Sequence, residues 1–415
     1  MLPALTVLVL VVQVTGCYGR RELEDMSLVT IVGVDKGQYK DLLITTVVAL
    51  PRKTFGGGMG GGGGGAEGQP TLILSAEGNT MIDALAQITT MTSRLTTTAH
   101  TQLVILGEEM AKYDAGVILD VFSRNLEFRH NTLVAVSKGK ASDFIREFRS
   151  PEEAEPSEYL VKLLLSSNRE MGICPLVSAH EFLIAYDTQE LEPWVPYLAL
   201  ASTAPVEKET SNQGNESSKE STGKHSPAED TTIVAVLGAA LFRNVGQQMR
   251  MVGLLDTKET MAISILRGDF VRGYLDIALP GKPGRQATLA LHHLSTSVKT
   301  RLDAGQVEVI FKIRLTASVE EATARELNIS PEYHQEVVRT AEQEVRTLLS
   351  KALAKLKASE TDVADLGMTV LKHFRTLHEW EQYDWPSKFR NVTADYDVKM
   401  FIFTSGFTFS PPSPR

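Results

Sequence analysis

Imidazoles, carboxylates and thiols are the groups in this chain that could do chemistry. His292 and His293 are adjacent in a strand-like run, Thr288 to Leu302. Neighbours in a strand point to opposite faces, so the pair cannot chelate one metal ion. His373 and His378 stand five apart on a helical pattern, a poor spacing for joint ligation. Asp362 and Asp365 are three apart and could share a helix face as an acid pair. Gly367 close behind marks a helix end, so the two carboxylates read as capping or solvated groups. No His-Glu-x-x-His, Cys-x-x-Cys or Gly-x-Ser-x-Gly occurs. Phe55 to Gly68 is almost all glycine, but no Gly-Lys-Ser/Thr follows it, so it lacks the signature of a phosphate loop. The expectation is no catalytic site, no metal and no cofactor.

The thiols divide differently. Cys174 lies in Gly172-Ile173-Cys174-Pro175-Leu176 and reads as a small buried residue. Cys17 follows Val14-Thr15-Gly16 and an uncharged apolar run over residues 2–12. That run is shorter than the roughly 20 residues of a bilayer span and suits a signal-peptide core. Small residues directly before the cysteine resemble the bacterial lipobox. On that reading residues 1–16 are a signal peptide, and the mature chain begins at a lipid-bearing Cys17 on the outer face of a membrane. No Lys or Arg precedes the apolar run, an observation that would fit a start upstream of Met1.

Composition narrows the classes further. The 415 residues allow two or three domains, and a hydrophobic fraction of 43% supplies a sizeable core. A net charge of −9 argues against nucleic acid as a partner. With Cys17 lipidated, Cys174 has no disulfide partner within the chain.

The elements that must position these residues fall into two regions. Residues 17–205 alternate strands with helices. Strands are expected at Leu28–Val34, Leu42–Leu50, Thr71–Ala76, Gln102–Leu106 and Thr132–Val136. A helix is expected over Thr80–Arg94, with Ile82, Leu85, Ile88 and Met91 as its apolar stripe, and another near Ala115–Ser123. Ala141–Tyr186 reads as mostly helical, and the whole region is readable as two modules. The glycine segment 55–68 would join two strands as a long hairpin loop. Residues 206–230, rich in Ser, Glu, Lys, Asn and Thr, read as a flexible linker or an expanded surface loop. Residues 231–410 form the second region. Val307, Val309, Phe311, Ile313, Leu315, Ala317 and Val319 alternate with mainly polar neighbours, the pattern of a strand with one buried face. Asp303-Ala304-Gly305 would turn this strand back on the preceding one. Ser330 and Pro331 open a long helix whose stripe is Val338, Ala341, Val345, Leu348, Ala352 and Leu356. The fold class is α+β and multidomain: mixed α/β N-terminal modules, then an antiparallel-sheet-plus-helix C-terminal domain.

A family resemblance runs along these residues. Gly16-Cys17-Tyr18-Gly19-Arg20-Arg21-Glu22-Leu23 followed by Val32-Gly33-Val34-Asp35-Lys36 resembles the start of the Ger(x)C lipoproteins, the GerAC-like C subunits of spore germinant receptors. The likeness recurs at Ser75-Ala76-Glu77-Gly78-Asn79-Thr80, at His100, at Leu106-Gly107-Glu108-Glu109-Met110-Ala111 and at Arg169-Glu170-Met171-Gly172-Ile173. It continues at Gly238–Arg243, Met251–Leu255 and Asp365-Leu366-Gly367 ahead of Trp380 and Trp385. Tyr18-Gly19 departs from the Trp-Asp that commonly follows the cysteine in the family. The resemblance implies a non-enzymatic receptor subunit, with Cys17 carrying a diacylglyceryl group on its thiol, with or without an N-acyl chain such as palmitate. It implies work with two integral-membrane subunits, an A-type and a B-type, at the outer face of the spore inner membrane. Two other function classes compete. One is a lipid-anchored receptor that itself captures a small molecule, although such proteins usually have two parallel-sheet lobes. The other is a cell-surface enzyme, against which the missing motifs speak.

Overall fold

Period-two alternation and short, fully apolar runs determine most of the architecture. The computed structural model describes residues 25–49, 71–150, 152–153, 155–188, 191–203, 231–303, 306–323 and 331–403. Cys17, residues 1–16 read above as a signal peptide, the glycine segment, residues 206–230, Ala304-Gly305 and Ser330 lie outside the described residues.

A first sheet is built from β1 (Met26–Lys36), β2 (Leu42–Ala49), β3 (Thr71–Gly78), β4 (Leu95–Thr97), β5 (Leu103–Gly107), β6 (Leu133–Ser137), β7 (Trp194–Thr203), β8 (Thr231–Val245) and β9 (Gln248–Leu255). Its order is β3-β2-β1-β5-β6-β7-β8-β9, with β4 also paired to β1. The centre, β1-β5-β6-β7, is parallel, and both flanks are antiparallel. Parallel strands need cover on both faces. β5, Leu-Val-Ile-Leu-Gly, is accordingly buried throughout. Its Val104 and Leu106 join one apolar cluster, and its Leu103 and Ile105 join another on the opposite face. Helices α1 (Met81–Thr90), α2 (Glu108–Asp114), α3 (Leu119–Arg124) and α6 (Ala179–Asp187) contribute to the first cluster. Helices α4 (Ala141–Glu147) and α5 (Pro156–Arg169) contribute to the second.

The second sheet is β10 (Arg272–Ala278), β11 (Gln286–Asp303), β12 (Gln306–Ala322) and β13 (Thr393–Phe403), in that order. It is antiparallel through β12, and β13 then runs parallel to β12. That return requires a crossover, supplied by the long α8 (Pro331–Ser359) and three short helices, α9 (Leu366–Val370), α10 (Leu377–Tyr383) and α11 (Trp385–Phe389). The expected alternation in β12 holds, with Val307 to Ala317 buried at every second residue. The free edge of β13 is covered by α8: Arg346 donates to the carbonyls of Tyr396 and Val398, and Glu342 accepts from the Met400 N–H. An open strand edge is a pairing hazard, and these two side chains remove it. Helix α7 (Thr257–Arg267) connects the sheets.

Two expectations need correction. In α1, Ile82 and Met91 are exposed, and the buried face is Met81, Ala84, Leu85 and Ile88. Strict three-residue spacing drifts by about 60° per step, so its ends leave the packed face. In α8 the buried stripe uses Val337 and Leu349, while Val338 and Leu348 are only partly buried. The strands on either side of residues 206–230, β7 and β8, pair with each other from Trp194↔Leu241 to Thr203↔Thr231. The change of sheet falls after Leu255.

Candidate functional site

The imidazoles singled out by the sequence are dispersed, whereas His130 and His180 stack with ring centroids 5.4 Å apart. His293 shares a 2.9 Å hydrogen bond with Thr296, next to an irregularity in β11. His373 contacts Thr300 at 2.8 Å and His378 contacts Gln382 at 2.9 Å. Among the described residues, no group of three or more His, Cys, Asp or Glu is placed to hold a metal ion. Cys174 is fully buried beside the Leu164 carbonyl, and burial pushes its thiol up to about 12. Such a thiol is a poor nucleophile.

The carboxylates are gathered where the sheets meet. Asp362 is buried rather than solvated, because three donors hold it inside. It accepts from the N–H groups of Leu366 at 3.1 Å and Gly367 at 2.7 Å, and from Trp385 Nε1 at 2.9 Å. A Cβ on Gly367 would sit 2.7 Å from that indole nitrogen, so the glycine lets Trp385 approach. The Asp362 N–H in turn donates to Glu192, just before β7. Burial pushes Glu192 up to about 8 and Asp362 up to about 7.

Asp365, at φ 56°, opens α9 and pairs with Arg267 of α7 at 2.7 Å. Arg267 also pairs with Asp269 at 3.0 Å, donates to the Val363 carbonyl and lies 5.7 Å from the Trp194 ring. Burial raises both Asp365 and Asp269, and the guanidinium opposes it. Glu192, Trp194, Arg267, Asp269 and Asp365 line a cavity of about 390 Å³ that Asn168 of α5 and Glu181 of α6 also border. Nearby, Glu360 pairs with Arg243 of β8 at 2.7 Å and with Arg390. Lys351 and Lys355 of α8 pair with Glu259 of α7. Ser264 is the hydroxyl of the cavity lining; it hydrogen-bonds the Asp269 carboxylate, which Arg267 also pairs with, and no histidine lines the cavity to complete a nucleophile–base–orienter relay. These groups instead fix how the 360–367 segment crosses the end of the first sheet.

The motif residues of the first region act in the same way. Asp35, at the end of β1, is buried and accepts from the N–H groups of Ala141 and Ser142, both at 2.8 Å. It therefore caps α4, which has no side-chain cap of its own. A Cβ on Gly107 would lie 2.0 Å from Asp35 Oδ1, and one on Gly33 would lie 2.7 Å from Ile145. Glu77 accepts from Gln38, Tyr39 and Lys40 N–H groups and closes the β1–β2 turn. Thr80 caps α1. Glu108 accepts from Lys112, Gly139 N–H and Tyr197. Sequence reading alone did not assign these roles, because Asp35 and its cap partners are more than 100 residues apart. A lone acid ending an apolar strand was the available signal.

A family model described as the spore germination protein N-terminal domain matches residues 19–200. A second, described as spore germination B3/GerAC like, C-terminal, matches residues 237–406. Spore germination protein KC of Bacillus subtilis (strain 168) is 22% identical over 412 residues, covering 98% of this chain and 96% of that protein. Spore germination protein GerQC of Bacillus cereus is 22% identical over 395 residues, covering 94% of this chain and 96% of that protein. The crystal structure of the GerBC protein shares the fold, with a TM-score of 0.53 at 14% identity, covering 89% of this chain and 96% of that one.

Proposed function

This chain belongs to the GerAC-like family of spore germination proteins, and we propose that it is the lipid-anchored, non-enzymatic subunit of a nutrient-germinant receptor. Its partners on this reading are two integral-membrane subunits, A-type and B-type, and its place is the outer face of the spore inner membrane. The observation that carries the reading is the pair of family models that together span both regions, preceded by Val14-Thr15-Gly16-Cys17. Two features support it. No described helix is long and apolar enough to cross a membrane; on this reading attachment is through the cysteine, where two acyl chains hold stably and one is marginal. The buried carboxylates also serve as acceptors for backbone and indole N–H groups rather than as acid–base pairs.

The tether would act by concentration. Holding the chain at the membrane raises its local concentration near embedded partners, into the millimolar range for a short linker, without any new contact. Nutrient-triggered germination of three strains tests this: gene deletion, Cys17→Ala, and overexpressed Cys17→Ala. Deletion should abolish the response to one class of nutrient and leave vegetative growth intact. Cys17→Ala should weaken that response without changing its specificity, and overexpression should partly restore it. Unchanged responses after deletion, with no redundant homologue present, would refute the reading. A second reading, direct capture of a small molecule, is favoured only by the junction cavity. Saturable nutrient binding by the isolated chain would support it.

A further inference from the structure

One stretch of the open face of the second sheet is rich in cations. One face packs against the apolar residues of α8, and the other carries the alternate residues of β11, β12 and β13. The register aligns Arg301 with Glu308, Lys299 with Ile310 and Asp395, and Ser297 with Lys312 and Asp397. The next row is Ser295, Arg314 and Lys399. Five cations thus share these four rows with three carboxylates, while Asp303 lies in the next row past Arg301 and Glu320 past the Phe403 row. Arg301 pairs with Glu308 at 3.6 Å and Arg314 with Asp397 at 3.0 Å. Lys299, Lys312 and Lys399 are exposed and form no ion pair among the described residues. The cations are felt locally: a hydrogen bond from Arg314, with the charges of Lys399 and Lys312, holds Asp397 below the usual carboxylate range.

Two aromatic rings stand at the end of this face. Phe401 is 67% exposed and Phe403 42% exposed, on the same side of β13 as Lys399. The alternation explains their placement: Val398, Met400 and Ile402 face the core, so 399, 401 and 403 face out. Phenylalanines left in water beside unpaired lysines are the side-chain set of a surface that lies on a membrane interface.

We propose that this face docks on the anionic surface of a lipid bilayer, with the three lysines on headgroups and Phe401 and Phe403 entering the interface. Charge selects this occupant over a neutral surface, and the exposed rings select it over a purely ionic partner. A lipid-bearing chain held against the bilayer by a second, electrostatic contact would be fixed in orientation as well as in place. The test requires neither lipid on Cys17 nor a germinating spore, so it stands apart from the receptor reading.

The experiment is co-sedimentation of the chain from residue 17, carrying Cys17→Ala and holding every described element, with vesicles. One set is phosphatidylcholine alone and the other contains added phosphatidylglycerol. The chain should bind the phosphatidylglycerol vesicles only, and binding should fall steeply with added salt. Each lysine near such a surface contributes about fivefold, so Lys299→Glu/Lys312→Glu/Lys399→Glu should lose roughly 100-fold or more. Phe401→Ser/Phe403→Ser should weaken binding while leaving its salt dependence. Circular dichroism checks that the variants fold, and the salt series on the unaltered face needs no variant. Failure to bind phosphatidylglycerol vesicles, equal binding to both vesicle types, or wild-type binding by a folded triple-lysine variant would overturn the proposal. So would capture of an acidic protein by this face in place of vesicles.

Discussion

Replacing Asp35 or Gly107 by alanine should destroy the same helix cap, and the double variant should show it. The Asp35 carboxylate receives two N–H bonds of 2.8 Å at the buried start of α4. Hydrogen bonds to a charged group contribute about 1.5–3 kcal/mol each, and a buried N–H left without an acceptor carries its desolvation cost. Removing the carboxylate also releases its own burial cost, so Asp35→Ala should destabilise the first sheet by about 2–4 kcal/mol. Gly107→Ala acts by displacement. Gly107 is at φ −65°, ψ 148°, a conformation open to any residue, so the variant adds only a Cβ. That Cβ would stand 2.0 Å from Asp35 Oδ1 and 3.1 Å from the Ala141 nitrogen. The carboxylate must leave the cap, at a cost similar to its removal. In the double variant the clash with the carboxylate is gone and the cap is lost once. It should therefore be no less stable than the worse single variant, a coupling of about 2 kcal/mol or more. Urea unfolding followed by tryptophan fluorescence and circular dichroism measures all four corners of the cycle. Destabilisations that simply add would show that Gly107 and Asp35 act independently and would refute the cap.

Other expectations follow from the buried titratable groups. Glu192 and Asp362 have folded-state values of about 8 and about 7, above their ordinary range. The folded state thus keeps protons that the unfolded chain has released, so stability should fall as pH rises from 6.5 to 8. His293, held below its usual value by burial, works in the opposite direction only at lower pH. Glu192→Gln keeps an oxygen for the Asp362 N–H and should flatten this slope by at least about 1.4 kcal/mol over the window; an unchanged slope would exclude Glu192 as its source. Cys174, fully buried and pushed up to about 12, should resist iodoacetamide in native Cys17→Ala protein and react only on unfolding. Rapid native modification, read by mass spectrometry, would contradict its burial.

The strands were legible where a single period decides them. β12 alternates apolar and polar for its whole length, and the short apolar β5 and β6 can only be buried. The long α8 was legible from its start signal at Ser330-Pro331 and its stripe, although the stripe's phase was wrong at Val338 and Leu348. β13 was missed even though Tyr396, Val398, Met400 and Ile402 alternate, because its pairing depends on a crossover through α8. The junction carboxylates were legible as capping groups, which Asp362 and Asp365 are at the start of α9, but their burial was not, for a related reason. Asp362 is buried by Trp385, 23 residues away, and by Glu192, 170 residues away. No local period reports such partners. The motif likeness was visible from Asp35, Glu77, Gly107 and Gly367 as residue types, while their shared role as acceptors and close-approach positions became visible only in three dimensions.

The central claim is that this chain works at a membrane as part of a receptor assembly. Purification of an affinity-tagged chain from detergent-solubilised spore membranes tests it most directly. The account predicts recovery of two multi-span membrane proteins with the chain, whose own mature N-terminus is an acylated Cys17. Recovery of the chain alone, from the soluble fraction and with unmodified Cys17, would contradict it.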